Sequence, residues 1–342
     1  MTNSRAGEKS TTHRLVAALL AASIGLTANI AAAAEVKKVK MSQAVDSVAY
    51  VAVDYARLRG FYKDEGVEME QIISRGGGPD VAALVSGDVE FNTAAPNYQF
   101  NTIKQNRDVI LIHNYIGGMN QSFVLSPDAA KRAGVSPDAP IADRLKALKG
   151  MNLGITQPGA MTDQHIRFLL KKGGIAVNDV QLTAIGGAQA LMTALESKQI
   201  DGFAISLGPD RTAVARGAVM WVDNLRGDVP GLSPFPMVNL YTTKKFADAN
   251  PAVVRKVVRA TQRAVAELKQ RPAEEIAAIL KERYKGMDPQ VLLLCVQAFK
   301  PALNIEGTVS REMVDNLLAF QGEKDMTAER FLSFYTDKFL KD

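Results

Sequence analysis

The chain has 342 residues, 47% hydrophobic and 23% charged, with 41 Lys and Arg against 36 Asp and Glu for a formal charge of +5. That length suits two domains, and the basic residues are dispersed, with Lys37-Lys38 and Lys244-Lys245 as isolated pairs, so nothing points to nucleic acid. Cys295 is the one cysteine, which excludes an intramolecular disulfide, and with only His113 and His165 beyond residue 34 no His/Cys cluster can supply a zinc site.

Arg5, Lys9 and Arg14 form a basic start, Leu15 to Ile30 an apolar run, and Ala31-Ala32-Ala33-Ala34 a small-residue stretch before Glu35. This order reads as a secretory signal peptide over residues 1–34, its apolar part short for a bilayer span; a retained N-terminal anchor is the alternative. No long apolar run recurs downstream. Without Arg5, Glu8, Lys9 and Arg14 the mature chain carries about +3. It is expected to work in the periplasm or at the cell surface.

Val36 to Met41 reads as a first strand, with apolar residues alternating with lysines. Ser47 to Arg59 reads as a helix with Val48, Val51, Ala52, Tyr55 and Leu58 on one face and Gly60 as its stop. Val67 to Ile73 is a second strand, followed by Gly76-Gly77-Gly78-Pro79-Asp80 and a helix from Val81 to Ser86. Val89 to Thr93 and Val109 to Tyr115 are further strands, separated by a helix that Ala94-Ala95-Pro96-Asn97 opens. Strand alternating with helix at this pitch predicts a parallel, doubly wound sheet.

The pattern then restarts. Asp128 to Pro140 reads as a loop and Ile141 to Leu148 as a short helix. Strands are predicted at Asn152–Thr156, Val180–Thr183 and Gly202–Ile205, and helices at Thr162–Lys172, Ala188–Glu196 and Arg211–Arg216. Val238 to Thr242 is a strand expected to lead back to the first module. The rest is helical: Asn250-Pro251 starts a helix whose Val254, Val257, Val258, Thr261, Ala264, Val265 and Leu268 form one stripe. Pro272 and Asp288-Pro289 start two more, and Ser310–Phe320 and Thr327–Phe339 are the last two. These faces read as core, and Cys295, inside an apolar helical stretch, as a buried inert thiol.

No Gly-x-Ser-x-Gly elbow and no phosphate-gripping Gly-x-x-x-x-Gly-Lys occurs. What does recur is small or polar residues between a strand and the next helix, where ligands bind beyond the carboxyl ends of parallel strands and helix starts offer unpaired N–H groups. The five junctions are Ser42-Gln43 with Asp46-Ser47, Gly76-Gly77-Gly78, Thr93 to Asn97, Thr156 to Thr162, and Ser206-Leu207-Gly208-Pro209. Glycine before a helix is often turn chemistry alone; recurrence across both modules favours a ligand cleft.

Several segments resemble a known family. Tyr50-Val51-Ala52 through Arg59-Gly60-Phe61-Tyr62-Lys63-Asp64-Glu65-Gly66-Val67 is similar to the opening of the sulfonate/nitrate/taurine class of ABC-transporter solute-binding proteins, a group that also holds the thiamine-pyrimidine synthase-like domain. Ala83-Leu84-Val85-Ser86-Gly87-Asp88-Val89-Glu90-Phe91 resembles its next segment. Leu145 to Gly150 with Leu153-Gly154-Ile155 and Gly159 resembles the entry to its second lobe. Ala194-Leu195-Glu196 with Ile200-Asp201-Gly202 and Pro209 resembles a later element, except that Lys198 or Gln199 replaces its glycine.

The resemblance implies an α/β, two-lobed periplasmic binding protein fold of type II, each lobe a mostly parallel sheet flanked by helices. Lobe 1 is expected over 35–116 plus 240–342 and lobe 2 over 117–239, with the cleft between them. It implies a non-enzymatic, cofactor-free component that delivers a small organic molecule, a sulfonate-like or related anion or a heterocycle, to ABC permease subunits in the inner membrane. The cleft residues so implied are Gln43, Asp46, Ser47, Gly77, Gly78, Ala95, Asn97, Gln157, Gly159, Ala160, Met161, Thr162, Ser206 and Pro209. No arginine pair sits among them to grip an anion, Arg75 and Arg211 being nearby candidates only. The alternatives are a pyrimidine synthase-like enzyme, against which the lone Cys295 counts because those enzymes carry a cysteine-rich motif, and a receptor feeding a sensor or another transporter class.

Overall fold

A computed structural model describes residues 36–43, 47–74, 77–322 and 325–341. The segment read as a signal peptide, and Asp46, lie outside these residues. The described residues form ten strands: β1 (Lys37–Gln43), β2 (Val67–Ile73), β3 (Phe91–Ala94), β4 (Val109–Ile116), β5 (Gln121–Leu125), β6 (Asn152–Ile155), β7 (Gln181–Ala184), β8 (Gly202–Ser206), β9 (Val219–Asp223) and β10 (Val238–Thr243). They build two five-stranded sheets, ordered β2-β1-β3-β10-β4 and β7-β6-β8-β5-β9.

The two sheets share a plan. In the first, β1 runs parallel to β2 and β3, and β10 runs antiparallel to both β3 and β4. In the second, β6 runs parallel to β7 and β8, and β5 runs antiparallel to both β8 and β9. Each sheet is therefore mostly parallel with one reversed strand, and that strand is the first the chain forms after crossing from the other sheet. The crossings are residues 117–120, between β4 and β5, and residues 224–237, between β9 and β10. The strand at Val238 does lead back to the first sheet.

β5 and β9 were not among the predicted strands. All five residues of β5 are buried, so its sequence has no polar alternation to mark it. Its neighbour β8 must begin with glycine: a Cβ on Gly202 would stand 2.5 Å from the Val124 carbonyl oxygen. Two helical expectations are corrected. Asp128–Pro140 is not all loop, because helix Pro127–Arg132 starts there, capped by Ser126 Oγ with Pro127 in its first turn. The last helix is Ala328–Leu332 and stops short of Phe339, because the chain turns to pair with β4: Leu111 N donates to Phe334 O at 2.8 Å and Thr336 N to Leu111 O at 3.0 Å.

Helix Pro251–Gln270 buries the predicted stripe of Val254, Val257, Val258, Thr261, Ala264, Val265 and Leu268. Each Val or Leu contributes roughly 1.5–3 kcal/mol of burial before entropy is counted. The stripe packs on helices Val51–Leu58 and Phe61–Asp64. The later C-terminal helices also touch the second sheet's elements. Helix Pro289–Phe299 lies against helix Pro209–Ala215, and the Phe320 ring of helix Arg311–Gln321 sits 5.2 Å from Phe168 of helix Met161–Lys172. One apolar cluster therefore runs from the first sheet through these helices into the second, and a smaller one around Leu191, Met192, Phe203 and Ile205 covers the second sheet's other side.

Candidate functional site

A cavity of about 480 Å³ opens at the carboxyl ends of the second sheet's parallel strands. Thr156 follows β6, Gly187 and Ala188 start helix Ala188–Glu196 after β7, and Ser206 to Pro209 lead from β8 into helix Pro209–Ala215. The opposite wall is Ser47 and Val48, just after β1, together with residues 283–287 of the C-terminal region. Hollows of about 310 and 390 Å³ elsewhere are lined by residues around one sheet only. The larger cavity joins elements of both.

A buried carboxylate fixes the 283–287 wall. Asp54, fully buried on helix Val51–Leu58, accepts from Arg283 Nε at 3.1 Å and from Tyr284 Oη at 2.6 Å. Tyr284 Oη also lies 3.4 Å from the Ser47 carbonyl oxygen, so both parts of this wall are tied together. The Arg283 guanidinium is committed to Asp54; Lys285 beside it is exposed. Across the cavity, Asp210 Oδ1 accepts from Gly208 N at 2.9 Å and Arg211 N at 2.6 Å, closing the start of helix Pro209–Ala215 with the chain's own carboxyl. Burial pushes the Asp210 carboxyl up to about 6 despite Arg211, whose other nitrogen is bound to Asp223 at 2.8 Å.

Of the cleft residues the sequence implied, Ser47, Ser206 and Pro209 line this cavity. Gln43 ends β1 and its Oε1 accepts from Gln71 Nε2 at 2.5 Å. Gly77 and Gly78 begin helix Gly77–Ser86, and Ala95 precedes helix Pro96–Lys104, in which Asn97 leaves a buried Oδ1 without a hydrogen bond. Gln157, Gly159 and Ala160 form the exposed-to-half-buried turn after β6, and Met161 and Thr162 are buried at the start of helix Met161–Lys172. Thr162 Oγ1 accepts from Thr156 N at 3.0 Å and bonds Thr156 Oγ1 at 2.8 Å, so its hydroxyl holds the turn. Thr156 belongs to the Thr156–Thr162 junction that the sequence singled out; Gly187, Thr212 and the 283–287 wall were missed, the last having no local motif because its place depends on Asp54 far away in sequence.

The carboxyl edge of the first sheet is polar and buried. Asp80 accepts from Ser74 Oγ at 3.0 Å and from Asn92 Nδ2, which also donates to Ser42 Oγ at 3.2 Å. Burial holds the Asp80 carboxyl above its usual range. Thr93 Oγ1 bonds the Tyr115 hydroxyl. Tyr50, Tyr98 and Tyr241 have their phenols raised by burial first, with Asp80 acting on Tyr50 and Tyr98.

Among the described residues, the cysteine and the two histidines lie in the core. Cys295 is fully buried and its thiol is pushed up by desolvation. Burial lowers His113 and His165 to about 3 each. Asn224 Nδ2 donates to Gln121 O at 2.7 Å and so faces His165 Nε2, at 2.8 Å, as a donor; the neutral ring carries its proton on Nδ1.

Residues 49–275 match the sequence profile of the NMT1/THI5-like family. The chain belongs to that family. Among solved structures, this NMT1/THI5-like chain is similar to a protein from Bordetella bronchiseptica RB50, with TM-score 0.71, 23% identity, and 89% of this chain and 95% of that one covered. It is also similar to the periplasmic aliphatic sulphonate binding protein SsuA from Escherichia coli (0.64, 15%, 83% and 85%). A third is the periplasmic nitrate-binding protein NrtA from Synechocystis PCC 6803 (0.63, 16%, 89% and 87%). A comparison with curated proteins finds no match. These likenesses show the fold: the two-lobed α/β architecture of type II periplasmic binding proteins.

Proposed function

We propose that this NMT1/THI5-like chain is the exported solute-binding component of an ABC uptake transporter. It captures a small organic molecule, a sulfonate-like or related anion or a heterocycle, and delivers it to permease subunits in the inner membrane. The cavity of about 480 Å³ carries this reading, since it lies beyond the carboxyl ends of parallel strands and draws its walls from both sheets. Kinship of fold with proteins named as sulphonate- and nitrate-binding supports it.

Capture needs no bond chemistry, only binding energy that favours a closed arrangement over an open one. In keeping with that, Cys295, His113 and His165 are buried in the core and none of them lines the cavity. The two bodies that close are taken as residues 35–116 with 240–342, and residues 117–239, joined by the crossings at 117–120 and 224–237. The C-terminal helices that touch both sheets restrain that motion.

A thermal-shift screen of sulfonates, nitrate, pyrimidines and aromatic carboxylates tests the reading, because a ligand bound to the native state raises the melting temperature. One class should raise it in a concentration-dependent way. No shift from any class at millimolar concentration would count against a solute receptor.

A further inference from the structure

The two crossings pair with each other. Met237 N donates to Ile116 O at 3.0 Å, Phe235 N to Gly117 O at 2.8 Å and Met119 N to Leu232 O at 2.9 Å, so residues 116–119 and 232–237 form an antiparallel ribbon. A third segment of backbone lies along it. Leu303 bridges Ile116, Gly117 N donates to Ala302 O at 2.7 Å, and Asn304 N donates to Tyr115 O at 3.1 Å. The fit is close: a Cβ on Gly117 would stand 3.0 Å from Met313 Cε and 3.4 Å from Asn304 Cβ.

This third segment is fastened to the first sheet's side. Lys269 Nζ, at the end of helix Pro251–Gln270, donates to Lys300 O at 3.0 Å and to Pro301 O at 3.2 Å. Asn304 Nδ2 donates to Asn114 Oδ1 at 2.8 Å, and Asn114 Nδ2 to Asn239 Oδ1 at 2.8 Å, so one run of amides joins the segment to β4 and β10. Further on, Asn316 Nδ2 donates to Pro234 O in the ribbon at 2.9 Å. Contacts towards the second sheet's elements are apolar instead: Phe320 meets Phe168, and Met287 Cε lies 3.5 Å from where a Gly208 Cβ would stand. Such contacts have no directional bond to break.

The grip changes sides within one peptide link. Met119 is bound to the ribbon, whereas Asn120 O accepts from Leu207 N at 2.9 Å, just past β8 of the second sheet. In the other crossing, Asn224 Nδ2 donates to Gln121 O at 2.7 Å and Asp228 accepts from Arg144 at 2.8 Å, both on the second sheet's side. Leu232 already belongs to the ribbon, so residues 229–231 lie between the two grips, with Gly231 at φ +85°. Buried acceptors are left over at the same places: Asn120 Oδ1, Gln121 Oε1 and Asn224 Oδ1 have no partner among the described residues. Unpaired buried oxygens are costly, and a turn of one body against the other is a motion that can pair them.

We infer that residues 300–307 are a strap that locks both crossings to the first lobe, with Asn304 as its fastening, so that the lobes turn about the Met119–Asn120 link and residues 229–231 and not about the crossings as a whole. This rests on the solute-binding reading, and it narrows the second moving body to residues 120–231. The pivot adjoins the cavity, because Leu207, the partner of Asn120, is one of the residues that line it. A small turn there moves the cavity wall directly, which is how a few backbone dihedrals can serve a domain closure.

The test follows hydrogen exchange in the solute-free wild type, Asn304→Asp and Asn304→Ala. Asn304→Asp keeps the oxygen that faces Gly307 N and loses the donation to Asn114. In wild type the amides of Gly117, Met119, Phe235 and Met237 should exchange as slowly as those of β1. In each variant they should exchange about tenfold faster while β1 and β6 keep their rates, which general destabilisation would not produce. A second measurement takes spin-label distances from Ile305→Cys to Lys63→Cys in the first lobe and to Lys171→Cys in the second, three exposed positions, with Cys295 too buried to label. The first distance should be narrow and the second clearly broader. Crossing amides that exchange much faster than β1 in wild type, unchanged rates in both variants, or equal widths for the two distances overturn the inference. A variant that fails to fold leaves the wild-type exchange and the distances to decide. Since no solute enters either measurement, their failure leaves the receptor reading to the thermal-shift screen.

Discussion

Asn114 Nδ2 lies 2.8 Å from Asn239 Oδ1, and this bond joins the strand by which the chain leaves the first sheet to the strand by which it returns. Asn114 is fully buried, and its amide serves three acceptors and one donor. Asn114→Ala should therefore cost about 3 kcal/mol, since it strands buried carbonyls and an amide at once. Urea unfolding measures this; a loss below about 1 kcal/mol would mean that water replaces the side chain.

Lys198 stands at φ +61°, where the matching position in the first module is Gly87 at φ +85°. A lysine in that left-handed region is strained by about 1 kcal/mol relative to glycine. Its ion pair with Asp128 is exposed on both sides and offsets little. Lys198→Gly should raise the melting temperature by about 1–2 °C, readable by calorimetry.

Acid should destabilise the protein well above the carboxylate range. His113 and His165 have folded values near 3 against an ordinary 6.5, so the unfolded chain binds protons that the native chain refuses. Their contribution is complete above about pH 6.5 and is lost as pH falls towards 3. Asp210 works the other way: raised to about 6, it costs stability above that pH and relieves it towards 4. Two histidines outweigh one carboxyl, for a net loss of about 2–3 kcal/mol between pH 7 and 5. Unfolding of His113→Leu across that range should show a visibly shallower loss, since neither ring nitrogen of His113 has a partner to forfeit.

Gly159 and Asn97 separate stability from affinity. A Cβ on Gly159 meets no atom within 4 Å, but the residue has φ +76° and its N donates to Asp163 Oδ2 at 2.8 Å. Gly159→Val should thus strain the turn by about 1–2 kcal/mol, and weaken binding by shifting the start of helix Met161–Lys172. Asn97 Oδ1 caps nothing, so Asn97→Ala should leave the melting curve nearly unchanged and lower affinity only. Calorimetric titration beside melting curves on both variants checks this; a stability loss in Asn97→Ala with unchanged affinity would remove it from the cleft.

The periodic parts of the fold were legible from residues. The stripe from Val254 to Leu268, the strand Val67–Ile73 and the helix Ala188–Glu196 declare themselves through spacing alone. What stayed hidden depended on distant partners. β5 is buried from Gln121 to Leu125 and is a strand because β8 and β9 flank it. The end of helix Ala328–Leu332 is decided by Leu111, over two hundred residues earlier. The strand–helix junctions pointed to Ser47, Ser206 and Pro209, whereas the wall formed by residues 283–287 follows from the Asp54 carboxylate.

The central claim is that the protein binds one small molecule in its cavity and returns it unaltered. Equilibrium dialysis with a compound from the screen, followed by mass spectrometry of the molecule recovered after long incubation, tests it most directly. One molecule per chain, with unchanged mass, is the expected result. A product formed in proportion to protein, or no retained molecule, would contradict the account.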